Sequence, residues 1–457
     1  MASVQDFRQA DSSHHEKVIL LPFESDSPSM RASAVEALLP IKFGKGRIPC
    51  ARGVRAGPWV FASGILATDD KGVFSAAAAD GGRPLSGLPR WYREALGLYQ
   101  RAEEVLRAGG TDLGHTIRTD QYFPDWRAVP LLHLARKECC GDYIAPSTSV
   151  LEPRLLLPQA GMAMEMIAVR PGAGLDLKPL YPAGLDVPAT SAFAPVAIAG
   201  DYVFIAGFLA AWKPGDLGGI APEAKVPEGH LWKGNRIQLE ADYIIRRKLA
   251  PALEGAGASL ASVVKAQVYL ADIHDVPAFN QVWARHFGEA IPATTFVPTL
   301  DPGFAIAEAR CEINLLAVTR DGGTPRTPLQ GSSPAVCDGH PLAVRAGSLL
   351  CFSGLVAADA KGQIAGARRG ARRSRIRAQM NYLLDIAAGA CRRAGTSLAN
   401  VLRIQQFHTD LGDFEPACRV WLERLGGRPL PISAVQVPGP LVVPGCTVML
   451  DLWVYVP

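Results

Sequence analysis

The sequence predicts an α+β fold in which one module is used three times, each a single sheet covered on one face by two helices. The uncovered sheet faces are expected to bury one another around a pseudo-threefold axis. Three observations predict this. An apolar run closed by glycine occurs as WVFASG (Trp59 to Gly64), YVFIAG (Tyr202 to Gly207) and LLCFSG (Leu349 to Gly354), with its glycines 143 and then 147 residues apart. Each run reads as a buried strand giving way to a loop. A helix-like segment with a terminal glycine recurs as EEVLRAGGTDL (Glu103 to Leu113), APALEGAGASL (Ala250 to Leu260) and AGACRRAGTSL (Ala388 to Leu398), the glycine standing where a C-cap belongs. Finally, a proline turn precedes an alternating strand three times: APSTSV then MAMEMIAV, PATTFV then CEINLLAV, and PISAVQ then VMLDLWVYV.

In chain order, residues 1–45 form an extension, in which VILLPF (Val18 to Phe23) reads as an added strand and His14 and His15 as tail residues. Residues 46–170 make the first module, 171–190 a linker, 191–318 the second module, 319–334 a linker and 335–457 the third module. Proline and glycine in both linkers predict extended connections. Within a module the order is strand, strand, long helix, strand, helix, strand. In NRIQLEADYIIRRKLAPALEGAG, Ile237, Ala241, Ile244 and Ile245 share a helical stripe, and Phe279, Val282, Trp283 and Phe287 do so in the following helix. TDDKG (Thr68 to Gly72) and ADAKG (Ala358 to Gly362) are turn signals; the second module has a longer loop there, Ala211 to His230.

With 48% hydrophobic and 20% charged residues, 457 residues can bury sizeable cores. A net charge of +4 is too small to argue for nucleic acid or a membrane surface, and no apolar run reaches the roughly 18 residues of a transmembrane helix. The polar start, MASVQDFRQADSSHHEK, lacks the apolar core of a signal peptide, so a cytoplasmic location is expected. Nine cysteines without CxxC spacing read as reduced structural thiols. HExxH, P-loop and GxGxxG patterns are absent, so neither metal nor organic cofactor is expected.

The residues resemble the RidA group (YjgF/YER057c/UK114, reactive enamine/imine deaminases). The second module carries the likeness most fully, in YVFIAG, EGAGASLASVVKAQVYLADIHDVPAFNQVW and IPATTFVPTLDPGFAIAEARCEINLLAV, and the outline extends over residues 46–457. The resemblance implies three tandem RidA/YjgF-like (chorismate-mutase-like) modules forming an intramolecular pseudo-trimer with a barrel-like sheet core and a small-molecule site in each inter-module cleft. Deaminating members grip the substrate carboxylate with an Arg after the Pro-Ala turn, in bidentate fashion, and position water with a Glu on the last strand. Alignment puts Ser147, Thr294 and Ser433 where that Arg would stand. The Glu is kept as Glu165, and becomes Asn314 and Asp451 in the other modules. The cleft Asn survives as Asn280, and the Ser of the SG loop as Ser63 and Ser353, with Ala206 in the second module.

On this basis Glu165 and Asp451 are the expected catalytic carboxylates, each with a structural alternative as a backbone hydrogen-bond acceptor. Ser63, Ser147, Asn280, Thr294, Arg310, Asn314, Ser353 and Ser433 are the expected substrate-binding residues. Arg310, alternating with Glu312 and Asn314, is a replacement anchor or else a salt-bridge partner of Glu308 or Glu312. His408 is a proton-transfer group or a satisfied sheet histidine. The implied activity is hydrolysis, enamine/imine deamination or tautomerisation of a small nitrogen-containing or acidic metabolite, in a monomeric pseudo-trimer open to further homo-oligomerisation. The alternatives are a non-catalytic small-molecule-binding or interaction protein of the same fold and, from the arginine run Arg368 to Arg377, an RNA-acting protein.

Overall fold

The structure is a computed structural model describing residues 33–44, 48–69, 71–76, 78–79, 87–185, 187–212, 218–230, 233–331, 339–367 and 370–457. The strand expected at Val18 to Phe23, together with His14, His15 and Arg368, lies outside the described residues. Residues 34–457 form one compact unit, and no helix among the described residues is long and apolar enough to cross a membrane.

Among its described residues this unit has twenty strands and seven α-helices. The first stretch contains β1 (Glu36–Phe43), β2 (Ile48–Ala56), β3 (Trp59–Ile65), α1 (Arg90–Gly109), β4 (Thr116–Phe123), α2 (Ala128–Cys140), β5 (Ser147–Leu151), β6 (Arg154–Leu155) and β7 (Ala163–Val169). Then come β8 (Leu177–Leu180), β9 (Val196–Ala199), β10 (Tyr202–Phe208), α3 (Arg236–Ile244), α4 (Ala250–Gly255), β11 (Val263–Leu270), α5 (Val276–Phe287), β12 (Ala293–Pro298) and β13 (Cys311–Val318). Last are β14 (Arg326–Leu329), β15 (Ala343–Ala346), β16 (Leu349–Phe352), β17 (Leu355–Val356), α6 (Arg372–Arg393), β18 (Val401–His408), α7 (Phe414–Arg424), β19 (Ile432–Gln436) and β20 (Val448–Tyr455). A π-turn over Ile245–Leu249 joins α3 to α4. It lies just before Pro251, whose missing N–H breaks the regular helical ladder.

One strand order occurs three times: β1-β2-β3-β7-β4-β5, β8-β9-β10-β13-β11-β12 and β14-β15-β16-β20-β18-β19, the last with β6 added at its edge. In each sheet only the final pair is parallel, and α2, α5 or α7 supplies the crossover that a parallel pair requires. The glycines after the long helices, Gly110, Gly257 and Gly395, have φ of 83°, 70° and 79°, a backbone region open to glycine and closed to most side chains.

Strand alternation feeds two kinds of core. Val60 and Ala62 pack with Ala95, Leu98 and Ala102 of α1, while Trp59 and Phe61 point the other way, into a core shared with Phe204, Leu316, Leu349 and Trp453 of the other two sheets. Trp59 meets Tyr202 edge to face at 4.9 Å. A fully buried indole removes roughly 200 Å² from water, worth on the order of 5 kcal/mol.

The barrel-like core expected from the sequence is not found: the described residues form three open sheets and no closed barrel. Strands β4, β11 and β18 each already have a hydrogen-bonded neighbour on both sides within their own sheet, so their backbones have nothing left to pair across the axis. Segments read as extension or linker also contribute strands: β1, β8 and β14 are sheet edges. Each carries a proline, Pro40, Pro179 or Pro328, which an edge strand tolerates because one side needs no ladder bond.

Candidate functional site

The axis is polar, and its residues come from equivalent places in the three sheets. Register pairs Asp120 with Glu165, Gln267 with Asn314 and Gln405 with Asp451, so the three last-strand residues picked from the sequence do occupy one position. Alternation along β4, β11 and β18 puts Arg118 and Asp120, Lys265 and Gln267, and Arg403 and Gln405 on the axial face.

These side chains join the sheets in a ring. Arg118 Nη2 donates to Gln267 Oε1 at 2.5 Å, Gln267 Nε2 to Gln405 Oε1 at 2.7 Å, and Gln405 Nε2 to the Tyr122 hydroxyl at 2.8 Å. Arg403 donates through Nε to Glu165 Oε2 and through Nη2 to Asp120 Oδ2, both at 2.6 Å. Lys265 Nζ lies 2.8 Å from Asp451 Oδ2 and donates to Thr295 Oγ1 at 2.6 Å. Arg118, Lys265 and Arg403 thus balance Asp120, Glu165 and Asp451, all six buried. Such burial is tolerable only because each charge is paired. Burial pushes the Glu165 carboxyl above its ordinary range despite Arg403. Burial also acts against the charge of Asp451, but Lys265 and Arg403 outweigh it and hold that carboxyl below its usual value.

Around this axis the sheets meet at three seams: β19 against β3, β5 against β10, and β12 against β16. At the third–first seam the Ser433 hydroxyl lies beside the Glu165 carboxyl, and Ser63 is buried one residue before Gly64, which lies against Ile432 and Ser433. At the first–second seam Asn314 Nδ2 donates to Thr148 Oγ1 at 2.9 Å, next to Ser147, whose hydroxyl accepts from the buried Arg136 at 3.1 Å. The second–third seam is closed by its own polar groups. The Thr294 N–H donates to Ser353 Oγ at 3.2 Å and Ser353 Oγ to the Pro341 carbonyl at 2.6 Å. Asn280 reaches the same side, 2.7 Å from the His340 ring.

Three sequence expectations shift. Ser433 pairs with Gln405, level with Thr148 and Thr295, while Ile432 is level with Ser147; the turn before β19 is offset by one residue from the alignment. Arg310 is not at a seam. It precedes β13, and its guanidinium donates to Asp275 at 2.7 Å and lies 3.5 Å from Asp272. Neither Glu308 nor Glu312 is its ion-pair partner, Glu308 being taken by Lys225. His408 is fully buried beside Gln406, on the face of β18 opposite Arg403, and burial depresses its pKa to about 3. In the arginine run, Arg372 binds Asp410 and Asp413, and Arg377 binds Glu423.

Sequence reasoning passed over Glu312 as a seam residue. Its counterparts by register are Ala163 and Met449, so a comparison of the three sheets marks it as peculiar to the second. Among the described residues no cation pairs with it, and burial, with Asp120 nearby, raises its pKa to about 8.

A family model described as Endoribonuclease L-PSP matches residues 185–319, which span the second sheet. A RutC family protein of Pyrococcus abyssi is 36% identical over 98 residues, 21% of this chain and 65% of that protein. A RutC family protein of Pyrococcus horikoshii is 34% identical over 99 residues, 22% of this chain and 67% of that protein. The chain therefore spans about two thirds of the length of these relatives. A solved Mycobacterium tuberculosis protein described as a member of the highly conserved YjgF/YER057c/UK114 family is 28% identical; it covers 29% of this chain and 100% of its own, with a TM-score of 0.23. The 34% identity to the Pyrococcus horikoshii RutC family protein over 67% of that protein, together with the family-model match, means that the chain belongs to the RidA (YjgF/YER057c/UK114) family.

Proposed function

We propose that this chain is a cofactor-independent enzyme acting on a small nitrogen-containing or acidic metabolite. In this reading its three sheets are three RidA-like modules fused into an intramolecular pseudo-trimer, and its working site is the third–first seam. One observation carries the reading. Glu165 Oε2 is bound to Arg403 at 2.6 Å, while Glu165 Oε1 and Arg403 Nη1, both buried, have no hydrogen-bond partner among the described residues. An unmet acceptor and an unmet cationic donor on one bonded pair cost several kcal/mol unless something meets them. A small molecule with an acidic group and a nitrogen would do so.

The division of labour follows from the chemistry. Arg403 Nη1 anchors the acidic group, taking over from the family's Arg, whose place is held here by uncharged side chains. Ser63 and Ser433 hold the nitrogen-bearing end. Glu165, its proton affinity raised by burial, takes a proton from water as that water adds to an imine carbon and passes it to the nitrogen; it then takes the proton of the resulting hydroxyl and passes that to the nitrogen as the carbonyl forms and the carbon–nitrogen bond breaks. The sum is imine plus water giving carbonyl compound plus ammonia. Asp451, the counterpart at the second–third seam, is pinned by Lys265 and kept ionised, so it offers base chemistry alone.

The non-catalytic alternative draws support from the closed second–third seam and the missing Arg. The RNA-acting alternative is weakened by the intramolecular pairing of Arg372 and Arg377. Ammonia release from enzymatically generated 2-aminoacrylate decides between enzyme and binder. An enzyme should release ammonia above the no-protein rate, reduced about 100-fold or more in Glu165→Gln with an unchanged circular dichroism spectrum. Release equal to the no-protein rate would sink it.

A further inference from the structure

We infer that the outer corner where the starts of α1 and α2 meet the loop before β7 binds a small organic cation with a flat apolar body, of the amidinium or guanidinium type, between the Trp91 ring and the Glu94 carboxylate. An open cavity of about 290 Å³ lies there, with Arg90, Trp91, Asp125, Gln159 and Gly161 in its walls and none of the seam residues. Glu94 is 0% exposed. Its Oε1 accepts from the Gly161 N–H at 2.7 Å and the Met162 N–H at 3.3 Å, and its Oε2 is buried with no partner among the described residues. A Cβ built on Gly161 would fall 3.2 Å from that Oε2 and 2.7 Å from the Trp91 indole nitrogen. The unmet oxygen, the ring and the bare backbone of residue 161 therefore converge on one spot.

The other two sheets fill the same corner from within. Register sets Gly161 level with Arg310 and Thr447, and Asp125 with Asp272 and Asp410. In the second sheet Glu240 accepts through Oε2 from the Arg310 N–H at 2.8 Å and through Oε1 from Arg236 at 3.2 Å, and the Arg310 guanidinium binds Asp275. In the third, neutral Gln379 replaces the carboxylate and accepts from the Thr447 N–H at 2.9 Å, while the Arg372 guanidinium holds Asp410 and Asp413. In the first, Ala128 stands where Asp275 and Asp413 do, residue 161 has no side chain, and Arg90, placed on α1 as Arg236 is on α3, donates to the Gln159 carbonyl rather than to Glu94. The carboxylate is kept where its internal cation is missing, and a buried oxygen of that kind favours a cationic partner. The ring beside it already attracts one: the Arg127 guanidinium lies 5.4 Å from the centre of Trp91 while binding Asp125 at 3.0 Å. The charged groups around Glu94 are thus Arg90 on its own helix and Asp125 and Arg127 across the cavity. Arg127 holds Asp125 below the usual carboxylate range, so Asp125 stays ionised, whereas burial raises Glu94 to about 7.

The probe is benzamidine, whose amidinium stays charged, titrated calorimetrically into the whole protein at two pH values. Wild type should bind about tenfold more tightly at about pH 8 than at about pH 6, as the ionised fraction of Glu94 rises from roughly a tenth to nine tenths. Benzamide, the uncharged isostere, should bind about tenfold more weakly than benzamidine at the higher pH. Glu94→Gln keeps an acceptor for Gly161 and Met162 and should lose about tenfold at the higher pH, together with the pH response. Trp91→Leu should show no binding. Thermal melts establish that both variants fold, and the isosteric Glu94→Gln keeps the test decisive if Trp91→Leu does not. No binding to wild type, equal binding of benzamide, unchanged binding by a folded Trp91→Leu, or an unchanged affinity and pH response in Glu94→Gln would each overturn the inference.

Discussion

Lys265→Met is the sharpest probe of how the axis is held. Lys265 and Asp451 are both 0% exposed and 2.8 Å apart. The ammonium also donates to Thr295 Oγ1 at 2.6 Å and to the Phe352 carbonyl at 2.5 Å, the latter in the third sheet. Methionine fills much of the same volume but leaves Asp451 with a neutral donor at hydrogen-bonding distance, Gln267 Nε2 at 3.1 Å. Removing one partner of a buried pair strands the other charge, and costs about 3–5 kcal/mol. The double variant Lys265→Met/Asp451→Leu removes the stranded charge and should recover most of that loss, finishing within about 2 kcal/mol of wild type. Urea denaturation followed by tryptophan fluorescence reads this directly, since Trp59 and Trp453 lie in the inter-sheet core. A single variant costing under about 1 kcal/mol, or a double variant as damaged as the sum of the two singles, would refute the reasoning.

Two further outcomes follow from Glu312 and its surroundings. The folded protein holds that proton with a pKa of about 8 against an ordinary 4.5. Its contribution is therefore fully present below about pH 4.5 and is lost as pH rises through 8, to a limit on the order of 5 kcal/mol. Glu312→Gln should flatten this fall in a series of urea midpoints between pH 5 and 9; an unchanged slope would show that Glu312 does not titrate there. Gly207→Ala should destabilise by about 1–3 kcal/mol, because the new methyl meets both Glu312 and Thr148. A neutral substitution, read by calorimetric melting, would mean that the seam is looser than described.

The strand order that occurs three times was legible in the sequence, because the glycine that ends each long helix and the period-2 strands are local features set by local sterics. The edge strands β1, β8 and β14 were not legible: with a proline in each, they look like linkers, and only their position at a sheet edge makes the proline harmless. Lys265 and Gln267 alternate with Val264, Ala266 and Val268 as they would on a solvated face, and Arg118 and Asp120 lie in the wholly polar run Arg118 to Gln121. Nothing in one strand tells a face that meets water from one that meets two other sheets. For the same reason Glu165 and Asp451 could be singled out while their partners Arg403 and Lys265, some 238 and 186 residues away in the chain, could not. Arg310 misled because the nearest carboxylates in sequence are Glu308 and Glu312, whereas the fold delivers Asp275 and Asp272 from the start of another helix.

The claim that the third–first seam is the working site is tested most directly by a crystal of the protein soaked in a small 2-oxo acid such as pyruvate. The expected density is a carboxylate against Arg403 Nη1 with its other end within hydrogen-bonding reach of Glu165 Oε1, lost or shifted away in Glu165→Gln crystals. Density for the acid at another place only, with Glu165 and Arg403 unchanged, would contradict it.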